Sequence, residues 1–166
     1  MKKPPKLTLI WKTLNDIMSD IITSITIPTD DDGYVLMQCP KCREYFKLTI
    51  SDIEAEDLFE VCCPYCGLTS ENYFTEDVRE LAFTKVENYA MDKIYEEMRK
   101  TARNLNGKIF SFTVGSKPKA KPETPIGIGI DTLVIQTYNC CNKSAKITPS
   151  SKITGSYCPF CKVRYG

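Results

Sequence analysis

Apolar residues recur at steps of three and four over residues 7–25, as Leu7, Ile10, Trp11, Leu14, Ile17, Met18, Ile21, Ile22 and Ile25. Lys12, Asn15, Asp16 and Asp20 fall mostly between them, so the pattern predicts an amphipathic helix. Its many β-branched residues lower helix propensity, so it needs a surface to pack on. That surface is its own chain, or else a second copy or a partner. Pro28 and Thr29-Asp30-Asp31-Asp32-Gly33 then mark a turn. The period next drops to two. Tyr34–Gln38 reads as a strand, and Glu44–Ile50 as another, with Phe46, Leu48 and Ile50 on one face and Tyr45, Lys47 and Thr49 on the other. An acidic connection over Ser51–Asp57 leads to a third strand, Leu58–Cys62.

Helical spacing returns with Val78, Leu81/Ala82, Val86, Tyr89/Ala90, Ile94, Met98, Ala102 and Leu105. Thr75 is a candidate N-cap with Glu76 and Asp77 behind it, and Asn106-Gly107 supplies the stop. A helix of that length spans ~45 Å, long enough to serve as a spine for the other elements. Lys108–Val114 alternates as a strand. Residues 115–125 form a Pro/Lys-rich linker, extended or mobile, and Asp131–Tyr138 reads as a further strand.

Cysteine usage changes the picture. The chain has nine Cys and no His. Cys39-Pro40-Lys41-Cys42 and Cys63-Pro64-Tyr65-Cys66 are Cys-x-x-Cys tips at the ends of the expected strands, twenty residues apart. Two such tips supply four thiolates spaced for the corners of a tetrahedron, the pattern of a closed zinc site. A module this small buries little apolar surface, so the metal must supply the folding energy, ~10–16 kcal/mol for a structural zinc. The neighbouring thiol, Cys62, is expected as a small, half-buried strand residue.

The C-terminal part repeats this plan. Cys42-Arg-Glu-Tyr-Phe-Lys47-Leu48-Thr49 aligns with Cys141-Asn-Lys-Ser-Ala-Lys146-Ile147-Thr148, and Cys63-Pro64-Tyr65-Cys66 with Cys158-Pro159-Phe160-Cys161. A second zinc ribbon follows, with one departure: the counterpart of Cys39 is Tyr138. Four sulfurs are available only if Cys140 and Cys141, adjacent in the chain, both bind in a bent tip. The alternative is three Cys plus an oxygen or water.

The chain thus divides into an N-terminal amphipathic helix (1–29), a first zinc ribbon (30–70), a long helix and following strand (71–114), a linker (115–130) and a variant second ribbon (131–166). The expected fold is α+β, two small antiparallel zinc ribbons joined by a long α-helix, with two zinc ions held by Cys39, Cys42, Cys63, Cys66, Cys140, Cys141, Cys158 and Cys161. These Cys-bearing stretches resemble zinc ribbons of the transcription-factor-B type, found in many bacterial and archaeal proteins. The resemblance covers about half of the chain and implies structural zinc and a recognition surface. Ribbons of this type serve in transcription, RNA processing, DNA-associated machines and protein docking, so it specifies the fold more than the function.

Charge adds a second reading. The net charge is +1, but residues 30–66 hold nine acids against three bases, while residues 140–166 hold five bases and no acid. Either this is a solvated surface or two modules attracting each other, or Lys143, Lys146, Lys152, Lys162 and Arg164 form a footprint for nucleic acid or an acidic partner. The lack of His removes Ser/His and Cys/His hydrolases and the commonest general base. The expectation is therefore a non-enzymatic adaptor that binds a protein partner. Nucleic-acid binding, or a regulatory place in an enzyme complex, is the alternative, and self-association through residues 7–25 is open. Neither an export signal nor a membrane span is expected, so the reading is cytoplasmic.

Overall fold

The computed structural model describes residues 25–56, 58–105, 113–127 and 129–166. The helix expected over 7–25 lies outside the described residues apart from Ile25, and so does most of the strand expected over 108–114. Among the described residues the order is β1 (Tyr34–Gln38), β2 (Tyr45–Thr49), α1 (Ile50–Ile53), α2 (Glu76–Leu105), β3 (Val134–Tyr138), β4 (Lys143–Ile147), α3 (Pro149–Thr154), β5 (Ser156–Tyr157) and β6 (Arg164–Tyr165). This is a mixed α/β fold with small antiparallel sheets and one long helix between two groups of four cysteines.

The two Cys-bearing halves share one sheet, of order β1-β2-β4-β3. Each half contributes a hairpin in the same register: Val35 faces Leu48 in the first, and Val134 faces Ile147 in the second. The hairpins meet where Lys47 pairs with Lys146, and Leu48 with Ala145. Lys47 and Lys146 are the same residue of the sequence repeat. An antiparallel pairing of a residue with its own counterpart places a local two-fold axis there. The axis continues beyond the sheet. The Cys62 N–H donates to the Pro159 carbonyl at 2.9 Å, and the Tyr157 N–H to the Pro64 carbonyl at 2.8 Å, so the second tips pair symmetrically about Cys63 and Cys158.

Local chemistry repeats as well. Thr49 caps α1 by accepting from the Asp52 N–H, and Thr148 caps α3 by accepting from the Ser151 N–H. Both are the Thr of the repeated Lys-aliphatic-Thr step. The strand expected over Leu58–Cys62 does not form: Phe59 is almost wholly exposed, and only Cys62 makes a bridge, to Thr69. Its neighbours satisfy their backbone elsewhere, the Cys62 N–H on Pro159 and the Val61 carbonyl on the Tyr73 hydroxyl at 2.9 Å. Cys62 is fully buried rather than half-buried.

One core cluster spans both halves, with Cys39, Phe46, Leu48, Cys63, Tyr73, Tyr138, Ala145, Ile147 and Cys158. The opposite face of the sheet is also closed at its centre, because Lys47 is only 2% exposed. Its ammonium meets Asp30 at 3.0 Å, and Lys146 meets the same carboxylate at 2.9 Å. Lys146 also pairs with Asp32 and lies 4.8 Å from the Tyr34 ring centroid. At the rim, Lys143 pairs with Asp52 and Lys162 with Glu60. The acidic first module and the basic last one therefore neutralise each other across their contact.

α2 joins a second core through Val78 and Leu81, packed with Ile25, Ile27 and Val35. Farther along, Met91, Ile94 and Met98 are about half exposed. The halves thus meet through β2 and β4, rather than on the helix as a spine. The Pro/Lys stretch has no regular secondary structure and lies along α2. Asn88 clamps the Lys121 peptide from both sides, donating to its carbonyl at 3.0 Å and accepting from its N–H at 2.8 Å. Lys117 pairs with Asp92, Lys121 with Glu87, and Lys85 with Glu123.

Candidate metal centres

Each tip is a tight turn with the same wiring. The N–H of the residue after the second Cys donates back into the turn, from Arg43 to the Cys39 carbonyl, Gly67 to Cys63, Asn142 to Tyr138 and Lys162 to Cys158. These four residues carry the positive φ that reverses the chain, at 67°, 71°, 56° and 61°. Such a backbone favours glycine. Only Gly67 uses one, and there a Cβ would also meet the Tyr157 ring at 3.1 Å.

The turns bring Cys39, Cys42, Cys63 and Cys66 together, and likewise Cys140, Cys141, Cys158 and Cys161, with the sulfurs of each group within 4.8 Å of one another. Sulfur–sulfur separations include 3.5 Å (Cys42–Cys63) and 3.8 Å (Cys39–Cys66) in the first group. In the second they include 3.6 Å (Cys141–Cys158) and 3.9 Å (Cys140–Cys141). Tetrahedral sulfurs at ~2.3 Å from a zinc stand about 3.8 Å apart, so both groups fit a metal ion. The same distances are far too long for disulfides, at ~2.05 Å, and all nine cysteines are free.

Burial raises the Cys63 and Cys158 thiols far above their ordinary range, and it pushes the Cys62 thiol up to about 11. Burial opposes ionisation of Cys39 too, but N–H groups of Cys42 and Lys41 outweigh it and leave that thiol lowered. A cation inside each group is what would hold several such sulfurs as thiolates together.

The adjacent pair Cys140 and Cys141 both join the second group because Tyr138 does not. Tyr138 is fully buried, with its hydroxyl 3.2 Å from the Ser156 hydroxyl and its ring edge-on to Tyr165 at 5.4 Å. Its bulk is matched across the repeat, since Phe46 in the first half corresponds to Ala145 in the second. The Tyr165 hydroxyl accepts from the Cys140 N–H at 2.6 Å, which holds the bent tip. Replacing Tyr138 with Cys restores the repeat pattern but empties a ring-sized volume from the core. The expected outcome in urea unfolding is a loss of about 3 kcal/mol, since large-to-small core changes cost about 2–5 kcal/mol.

The five candidate phosphate-binding bases are dispersed by these contacts. Lys143, Lys146 and Lys162 face acids of the first half, Lys152 donates to the Ile135 carbonyl at 2.8 Å, and Arg164 lies 6.0 Å from the Tyr157 ring centroid. The pattern also gave no sign of three structural groups. Asp30 joins two lysines. The Tyr65 hydroxyl bridges the halves, donating to the Tyr45 carbonyl at 2.6 Å and accepting from the Thr148 N–H at 3.1 Å. The Tyr73 hydroxyl lies within 3.0 Å of both the Val61 and Leu68 carbonyls.

The chain is thus a mixed α/β protein with two four-cysteine groups suited to metal ions, an arrangement compatible with zinc ribbons. No family model, curated protein or solved structure matches it. No helix among the described residues is long and apolar enough to cross a membrane.

Proposed function

We propose that this chain is a non-enzymatic, zinc-binding adaptor whose two zinc ions are structural and whose ribbons, of the transcription-factor-B type, present a surface to a protein partner. The observation that carries the reading is the spacing of the eight sulfurs, which suits two closed tetrahedral sites. All-thiolate donor sets favour zinc among the common divalent ions. The eight ligands would be Cys39, Cys42, Cys63, Cys66, Cys140, Cys141, Cys158 and Cys161. Once bound, each zinc supplies folding energy, while the chain's own work is to hold the knuckles in register and shape the surface around them.

The alternative of nucleic-acid binding through Lys143, Lys146, Lys152, Lys162 and Arg164 is less favoured, because those bases face partners within the chain. Mass spectrometry under native conditions tests the main reading, with two zinc ions per chain expected. A gel-shift series with labelled DNA and RNA at low salt tests the alternative. A shift that disappears at moderate salt and on changing Lys143 and Lys152 to Glu would replace the adaptor reading with the alternative.

A further inference from the structure

The two groups of cysteines differ in how they meet solvent. In the first, Cys39 and Cys63 are fully buried, and Cys42 and Cys66 are half-buried. In the second, only Cys158 is fully buried, Cys141 is half-buried, and Cys140 and Cys161 are exposed.

The asymmetry follows from two substitutions within the repeat. The counterpart of the buried ligand candidate Cys39 is Tyr138 in the second half, which is equally buried and offers no sulfur. The sulfur is therefore supplied two residues later, by Cys140 at the rim of the turn. The tips also cover each other unequally. The Tyr157 ring packs over Gly67, next to Cys66. The symmetry mate of Tyr157 is Cys62, whose buried thiol donates to the Cys158 carbonyl at 3.1 Å. A phenol ring packs over one knuckle, while the matching position at the other holds only a cysteine and leaves Cys161 exposed.

We propose that the second group is a thiol-reactive metal site, at which a peroxide-class oxidant links Cys140 and Cys161 in a disulfide and expels the metal while the first group keeps its own. The Sγ atoms of the two residues already lie within 4.8 Å of each other. In the step, each thiolate gives one electron to the peroxide and its O–O bond breaks. An S–S bond forms, and two protons from solvent carry the oxygens away as two waters. Cys141 and Cys158 take up protons as the divalent cation leaves. Thiolate exposure controls attack of this kind, so the buried sulfurs of the first group react later.

This inference rests on the two-zinc reading. The test uses the full zinc-loaded chain, whose metal count is measured first, then titrated with hydrogen peroxide in the presence of a chromogenic zinc chelator. The expected result is release in two steps. The first zinc leaves at roughly tenfold lower peroxide than the second. Peptide mapping at that point finds Cys140 joined to Cys161, and Cys39, Cys42, Cys63 and Cys66 unmodified. Tyr157→Ala, which uncovers the first knuckle, is expected to bring the two steps together. Release of both zincs in one step, or from the first group first, overturns this proposal and leaves the adaptor reading standing. A chain that binds fewer than two zincs before oxidant is added overturns both.

Discussion

Removing the metal is expected to abolish the cooperative unfolding transition of this chain. Cys39, Cys63 and Cys158 are not surface clips. They are wholly buried members of the core that also holds Phe46, Leu48, Tyr138 and Ile147. Without a cation, each group becomes four closely spaced thiols, with Cys39 and Cys63 buried in the first and Cys158 in the second. The strands around them are five residues long or, in β5 and β6, only two, and the helices that follow β2 and β4 are four and six. Such pieces have little independent stability. A structural zinc contributes ~10–16 kcal/mol, against a total of about 5–15 kcal/mol for an ordinary domain. Circular dichroism during heating, before and after exhaustive chelation, reads the outcome, and zinc added back should restore the transition. An unchanged melting temperature in a chain shown to be metal-free would refute the expectation.

The second large effect is expected at Asp30. Its carboxylate sits between Lys47 and Lys146 at the local two-fold axis, and the three side chains are 11%, 3% and 12% exposed. It also accepts the Tyr34 N–H at 3.0 Å. Asp30→Ala would leave Lys47 buried without its partner, and two ammonium groups facing each other across β2 and β4. Breaking a buried ion pair from one side costs about 3–5 kcal/mol. Urea unfolding should show a loss of that size, with Asp31→Ala, an exposed neighbour, close to neutral. Burial works to raise the Asp30 carboxyl, but hydrogen bonds from Lys146, the Tyr34 backbone and Lys47 outweigh it, so its pKa is lowered from 3.8. The sign follows from that direction. The contribution is fully present above the unfolded value of 3.8 and is lost as pH falls through the lower folded value. The stability gap between wild type and Asp30→Ala should therefore be constant near neutrality and close only in strong acid. A gap that closes at pH 5–6 would mean that Asp30 is not the group responsible.

Parts of this architecture were readable in advance because their causes are local. A Cys-x-x-Cys tip places two sulfurs on one turn whatever surrounds it. The alternation in Tyr45–Thr49 and the spacing from Val78 onward mark β2 and α2 through one face of each. The repeat of Lys47-Leu48-Thr49 in Lys146-Ile147-Thr148 exposed the duplicated plan and singled out Tyr138 as the position that breaks it. The expected strand over Leu58–Cys62 failed for a nonlocal reason, since its last residue takes a hydrogen bond partner almost a hundred positions away. Alternation puts Lys47, with Tyr45 and Thr49, on the face opposite Phe46 and Leu48. That placement is correct, but it cannot reveal that Asp30 and Lys146 close the face over it.

The amino-acid order alone determined the three Cys-x-x-Cys knuckles, the two hairpins and the long helix, because turn chemistry and periodicity act over a few residues, while it left the Cys140–Cys141 tip open. It also carried the opposite charge of the two ends. Only the tertiary structure decided what that charge is for, and how the halves stand. The pairing of β2 with β4, the single carboxylate shared by two lysines, and the shelter Tyr157 gives to one knuckle but Cys62 denies to the other all join residues distant in the chain. Contacts of that kind leave no period in the sequence, since they depend on which surfaces remain to be buried once the local pieces have formed.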